Sequence, residues 1–279
     1  MIKKLFTILF GLVVLSNLSH AETYKIYMGV PAGSLSDVYT RKLYDHVNKI
    51  TGDTFVIVNK PGADQMVAYQ LFIEESRTNP NVIFSSGTSS LVASSIFRPE
   101  LKLDPLSETK SLITILKVHY YLVARTDSPI KSIKDVTGKL NVGSSNATNN
   151  ALFVGAKFDK DVQLIPFKGD NEIITSLLQK EIDLASIISI NPLLYTYKDK
   201  IKVIADFNPV VGAVGYSVAK NFPDEKLQRI NRALNQVVHH PDIKQWFVTT
   251  MGSAPVGGTP AEYDTIINRF KQLINSKIK

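Results

Sequence analysis

Between residues 24 and 30, Tyr24, Ile26, Met28 and Val30 occupy alternate positions, the period of a strand that buries one face. A turn follows. Tyr39, Leu43, Val47 and Ile50 then recur at helical spacing until Gly52, a helix-ending residue. The apolar run at residues 55–59 predicts the next strand, 64–75 a helix, and 82–85 a third strand. Strand and helix thus alternate over the first hundred residues, which predicts a layered, mainly parallel α/β sheet. The apolar stretch 112–124 predicts a strand that leaves this first lobe for a second. There, 140–143, 162–167, 182–188 and 202–207 read as strands, with helices between the first three, the clearest at 171–180. Residues 211–219 read as the return crossing. Helices follow at 227–238, from Pro241, and from Thr259-Pro260, where Thr259 and Glu262 have the spacing of a capping box.

These elements predict an α/β chain of two lobes, each a layered α/β sheet, joined by two crossing strands that act as the hinge. Lobe 1 takes residues 22–123 and 218–279, and lobe 2 takes 124–217. Hinges are expected at Leu122-Val123-Ala124 and Tyr216-Ser217-Val218, because the chain passes between lobes only there. In such folds ligands sit beyond the carboxyl ends of the strands.

Residues 1–21 read as a cleavable export signal. Lys3 and Lys4 precede an apolar stretch at 5–15, and Ser19-His20-Ala21 supplies a small-residue cleavage site. Cleavage after Ala21 makes Glu22 the new N-terminus and a periplasmic location the expectation. The apolar stretch is shorter than the roughly 20 residues of a membrane span. The chain has no cysteine, which excludes thiolate nucleophiles, thiolate metal sites and a lipidated N-terminal Cys. Net charge is +7, two less without Lys3 and Lys4, with the lysines scattered. Such an excess steers anions weakly, and the lack of a dense basic patch argues against nucleic acid.

Signatures of nucleophilic hydrolases, phosphate loops, zinc proteases and dinucleotide folds are missing from the sequence. His46, His239 and His240 read as packing or helix-end residues, and no metal or cofactor is expected. His119, in the crossing strand, either packs or faces the cleft. What recurs instead is the hydroxyl- and glycine-rich strand end. Ala32, Gly33, Ser34, Leu35, Ser36 and Asp37 form the first, with amides aimed out of a helix start where a carboxylate is stabilised. Asp37 is expected to cap that helix, the favoured reading, to pair with Arg41 one turn later, or to receive a ligand's amino group. Ser86, Gly87, Thr88 and Ser89 form the second wall, and Ser144, Ser145, Asn146, Ala147 and Thr148 the facing wall of lobe 2.

Pro31-Ala32-Gly33 with Asp37, Asn59-Lys60-Pro61-Gly62-Ala63, Pro166-Phe167-Lys168-Gly169, Glu181-Ile182-Asp183 and Thr259-Pro260-Ala261-Glu262-Tyr263 occur in an order and spacing that is together specific. The chain resembles, over essentially its whole mature length, the periplasmic solute-binding proteins of tripartite tricarboxylate transporters. The resemblance implies a two-lobed periplasmic binding protein of the type II kind that closes on a small carboxylate, holding it through backbone amides, hydroxyls and waters. It brings Phe167, Lys168 and Gly169 to the cleft floor and Asn191 to its border. It implies membrane transporter subunits as partners, a monomer, and no enzymatic activity. Departures are Ala32 for the first glycine of the turn, Asp64 and Gln65 for the glycines after Ala63, and residues 144–148 for a glycine-rich turn. A second reading keeps the fold as a ligand-loaded sensor docking on a signalling partner. A third, a periplasmic enzyme, lacks a nucleophile–base pair.

Overall fold

The computed structural model describes residues 21–93, 96, 99–145 and 161–278. Residues 1–20 of the expected signal, Asn146, Ala147 and Thr148, and the helix expected before 162 lie outside them. β1 (Thr23–Met28) leads into α1 (Leu35–Thr51), which Gly52 ends in the left-handed conformation at φ 75°. β2 (Thr54–Asn59), α2 (Met66–Ser76) and β3 (Val82–Gly87) follow. α2 starts later than expected, because Ala63, Asp64 and Gln65 form a tight turn with φ of 45°, 53° and 75°.

β4 (Thr109–Arg125) runs into the second lobe, where β5 (Leu140–Ser144), β6 (Val162–Pro166), α3 (Asp170–Leu178), β7 (Leu184–Ile188) and the one-turn α4 (Pro192–Thr196) are built. The two separate strands expected at 202–207 and 211–219 are one 19-residue strand, β8 (Ile201–Ala219). α5 (Asp224–His239), α6 (Pro241–Met251) and α7 (Pro260–Ile278) complete the first lobe. The expected capping box starts α7: Thr259 N donates to Glu262 Oε2 at 2.6 Å, and Glu262 N to Thr259 Oγ1 at 3.3 Å.

The strand order is β2-β1-β3-β8-β4-β7-β5-β6. β1 pairs in parallel with β2 and β3, and β5 in parallel with β6 and β7, while β4 and β8 are antiparallel to each other and to their outer neighbours. β8 leaves lobe 2 and β4 leaves lobe 1. The antiparallel pairings therefore point the carboxyl ends of β1–β3 and of β5–β7 toward each other. Each lobe has its own core. Tyr24, Ile26, Phe72, Phe84, Tyr216, Leu234 and Phe270 belong to the first. In the second, Leu122, Val142 and Leu184 fill one face of the sheet, and Val123, Ala185 and Ile187 the other with Ile173 and Leu177 of α3.

Both expected hinge triplets lie inside paired strands. Leu122, Val123 and Ala124 pair with Ser186, Ala185 and Leu184, while Tyr216, Ser217 and Val218 pair with Ser85, Phe84 and Ile83. Ladder hydrogen bonds on these residues hold them to one lobe. The β4–β8 ladder shifts register at Ser111/Ile113, Thr114/Leu116, His119/Tyr121 and Leu122/Val123, so two shifts touch the expected triplets and the widest lies between them. His119 pairs with Val211 and Tyr121 with Asp206, so Tyr120 alone stands opposite residues 207–210.

Candidate functional site

The turn after β1 is set by Asp37. This carboxylate is only 2% exposed and occupies the third position of α1. Its Oδ2 accepts from Gly33 N at 2.9 Å and from Arg41 Nε at 2.9 Å. Its Oδ1 accepts from Arg41 Nη2 at 2.9 Å and from Asn59 Nδ2 at 3.0 Å. Asn59 also donates to Val30 O, so the ends of β1 and β2, the turn and α1 meet on one side chain. Burial pushes the Asp37 carboxyl up, but hydrogen bonds from Arg41, Gly33 and Asn59 outweigh it and hold it below the usual carboxylate range. The Arg41 pair is as expected, whereas the capping role is not. Asp37 accepts from a residue ahead of the helix, and the N-cap position is filled by Ser34, whose hydroxyl makes no capping bond. Ser34 Oγ is instead buried without a partner. Around it Ala32 and Gly33 are exposed, Gly33 at φ 78°, while Leu35 packs on the core and Ser36 is hydrogen-bonded with Tyr39.

The second wall turns its hydroxyls inward. Ser86 Oγ lies 2.8 Å from Ser217 Oγ and 3.3 Å from Tyr263 Oη. Thr88 Oγ1 accepts from Ala213 N at 3.3 Å and lies 3.4 Å from Tyr120 Oη. Gly87 N donates to Ser90 Oγ, and Ser89 opens the turn at Ser89–Ala93. Here the side chains of Ser86, Thr88 and Ser90 hold the strand end in place.

In lobe 2, Ser144 is 2% exposed and its Oγ has no partner, while its carbonyl accepts from Phe167 N at 2.9 Å. Ser145 Oγ donates to Asp170, which opens α3 directly after the N-cap Gly169. Asp170 also accepts from Ile188 N at 3.4 Å and from the Asn191 side chain. Burial raises its carboxyl above the usual range, against the pull of those bonds. Asp170 thus joins the ends of β5, β7 and the start of α4, where Asn191 Oδ1 accepts from Leu193 N at 2.9 Å. Sequence reasoning missed it. The only available signal was an acid at the first helical position after the Phe167-Lys168-Gly169 turn. Phe167 packs over Gly143, whose absent Cβ would lie 3.1 Å from the ring, and Lys168 is exposed, its backbone N donating to Glu172.

His119 stands where the lobes join. Its backbone exchanges hydrogen bonds with Ser189, N to Oγ at 3.0 Å and O from N at 2.9 Å, while Nδ1 is buried and unpartnered. Ser34, Ser144 and His119 therefore leave an unpaired polar atom at the start of α1 in lobe 1, at the end of β5 in lobe 2, and in the crossing between them, as Tyr44 and Thr114 do elsewhere in the fold. Such an atom costs roughly 1–3 kcal/mol unless something bonds it. Among the described residues there is no group of three or more metal-ligating side chains. None of their helices is long and apolar enough to cross a membrane.

Two lobes that share two strands and turn their strand ends toward one cleft are the fold of periplasmic-type binding proteins. The sequence profile of the tripartite tricarboxylate transporter family receptors matches residues 39–209, and the chain belongs to that family. It is 28% identical over 194 residues to a UPF0065 protein of Bordetella pertussis, an alignment that takes in 63% of this chain and 59% of the relative. The chain thus spans about three fifths of the length of that curated relative. Among solved structures, MatC (Rpa3494) of Rhodopseudomonas palustris with bound malate superposes with a TM-score of 0.78 at 15% identity, over 92% of this chain and 99% of that one. Rpa4515 of R. palustris with adipate gives 0.77 at 14%, over 93% and 98%.

Proposed function

We propose that this protein captures a small mono- or dicarboxylate between its lobes and delivers it, as a monomer, to the membrane subunits of a tripartite transporter. The observation that carries this reading is the set of unpaired buried atoms on Ser34, Ser144 and His119, which a ligand reaching both lobes would satisfy. Two R. palustris proteins of this fold hold malate and adipate, both small carboxylates. The first turn of α1 offers outward amides and a partial positive charge for one carboxylate end.

The lobes are divided near His119 and residues 207–212, rather than at 123/124 and 217/218, and the irregular stretch opposite Tyr120 serves as the hinge. A ligand bound first to the α1 turn gains Ser144 and Ser145 only on closure, and that differential contact is what favours the closed form.

A thermal-shift screen tests the reading. One mono- or dicarboxylate should stabilise the fold by about 2.7 kcal/mol at 100 times its dissociation constant, and neutral sugars should not. A sugar response with none from any acid would sink it. The hydroxyls give a second test. Ser144→Ala removes a buried group with no partner, so unliganded stability should hold or rise, while affinity for the acid drops several-fold. Ser34→Ala should behave alike. Lost stability with unchanged affinity, read by calorimetry, would remove both from the site.

A further inference from the structure

Far from the cleft, at the amino end of β1, residue 22 is held by every polar group it has. Its carbonyl accepts from Thr54 N at 2.8 Å. Its carboxylate takes bonds from Lys226, from Tyr24 Oη at 2.5 Å and from Arg229 Nη2 at 3.4 Å. Those bonds hold the Glu22 carboxyl below the usual range against the burial that pushes it up. Its backbone nitrogen donates to Asp53 Oδ1 at 3.0 Å. Asp53 is fully buried, and its other oxygen lies 2.8 Å from Arg229 Nη2. Arg229 is shared between two carboxylates and Lys226 is turned to Glu22, so Asp53 Oδ1 faces a neutral N–H where a cation would fit. Ala21, one residue earlier, is exposed.

We propose that Asp53 is a built acceptor for the α-ammonium created at Glu22 when the export signal is removed after Ala21. The inference rests on the signal reading and is independent of the ligand. Cleavage hydrolyses the Ala21–Glu22 peptide bond, leaving a carboxylate on Ala21 and an amine on Glu22 that takes up a proton. The ammonium nitrogen occupies the point where the amide nitrogen now lies, and the bond to Asp53 becomes charge-assisted, roughly twice as strong as a neutral one. A buried carboxylate with a cation on only one oxygen acquires one on each, which offsets part of its desolvation cost. Maturation thereby stabilises the first strand pair of the sheet, whose register begins Thr23 opposite Thr54.

The sign of the pH effect follows. A free α-amino group titrates at about 7.7–8.0. Asp53 and the Glu22 carboxylate raise that value in the fold and Arg229 and Lys226 oppose it, with Asp53 in direct contact and dominant. Tyr24 completes the facing groups. A raised value means that the stabilisation is complete below the unfolded pKa and is lost as pH rises through the folded one.

The full precursor should be exported, recovered from the periplasm and weighed intact. The mass should correspond to a chain beginning at Glu22. That protein should be compared with the same chain acetylated on Glu22, which keeps the N–H donor and removes the charge. At about pH 7 the free form should melt roughly 2–4 °C higher, and the gap should close by about pH 10. Asp53→Asn should abolish the gap if that variant folds, and the acetylation comparison does not depend on it. A mature chain starting elsewhere, equal melting of the two forms, or a gap constant across that pH range would overturn the proposal.

Discussion

Asp37→Ala is expected to lower stability by about 2–3 kcal/mol and to cost the receptor at least tenfold in ligand affinity. The carboxylate is bonded by the Gly33 amide, by the Arg41 guanidinium through two nitrogens and by Asn59. Hydrogen bonds to a buried charge are each worth roughly 1.5–3 kcal/mol. The Arg41 side chain is half exposed, so its share is screened by solvent and the total stays near one such bond plus change. Without Asp37 the turn carrying Gly33 and Ser34 is no longer fixed, and each 1.4 kcal/mol of lost preorganisation is tenfold in affinity. The pH dependence has a definite sign. The folded carboxyl titrates below its unfolded value, so its contribution is complete above that value, about 3.9, and is lost as pH falls through the folded one. Denaturant melts of wild type and Asp37→Asn should differ at neutral pH and converge in acid. A variant as stable as wild type at neutral pH would show that Asp37 does not hold the turn.

Gly29→Ala should be damaging on a similar or larger scale, roughly 3 kcal/mol. A Cβ on residue 29 would lie 2.2 Å from Gln65 Cβ and 2.4 Å from Gln65 Cα, and a backbone atom cannot swing aside. The close approach exists because Ala63, Asp64 and Gln65 are all held in the left-handed region. For a residue with a side chain that conformation costs about 1–2 kcal/mol. In receptors of the pattern this chain resembles, glycines stand at 64 and 65. Gln65→Gly is therefore expected to stabilise the protein by about 1 kcal/mol and to leave the Gly29→Ala clash partly in place, because the Gln65 Cα position remains. Thermal unfolding of the two single variants and the double variant separates these effects. If Gly29→Ala melted with wild type, the two turns would not be in contact as described.

Features fixed by neighbours in sequence were legible there. Thr259 and Glu262 bond across three residues, and Gly52 ends α1 within its own last turn. Features fixed by distant partners were not. Nothing local distinguishes a hydroxyl that faces a ligand from Ser86, whose partners are Ser217 and Tyr263 from remote parts of the chain. Asp37 was read as a cap, a partner of Arg41 and part of the ligand turn, yet it also bonds Asn59 at the end of another strand. Asp170 escaped notice because an acid in a helix's first turn is ordinary. Its bonds to Ser145 and to Ile188 N appear only when three strand ends are brought together. The single strand β8 read as two because Asn208-Pro209 breaks the apolar pattern, at the same place where its pairing with β4 is irregular.

β4 and β8 belong to both lobes at once, as strands of 17 and 19 residues paired with each other along most of their length. Neither lobe can therefore melt while the other keeps its sheet intact, since either event strips the shared ladder of a neighbour. Cooperativity is imposed by chain connectivity rather than by the contact area between the lobes. A closing motion at the cleft, as proposed above, would leave the unit that unfolds as one intact.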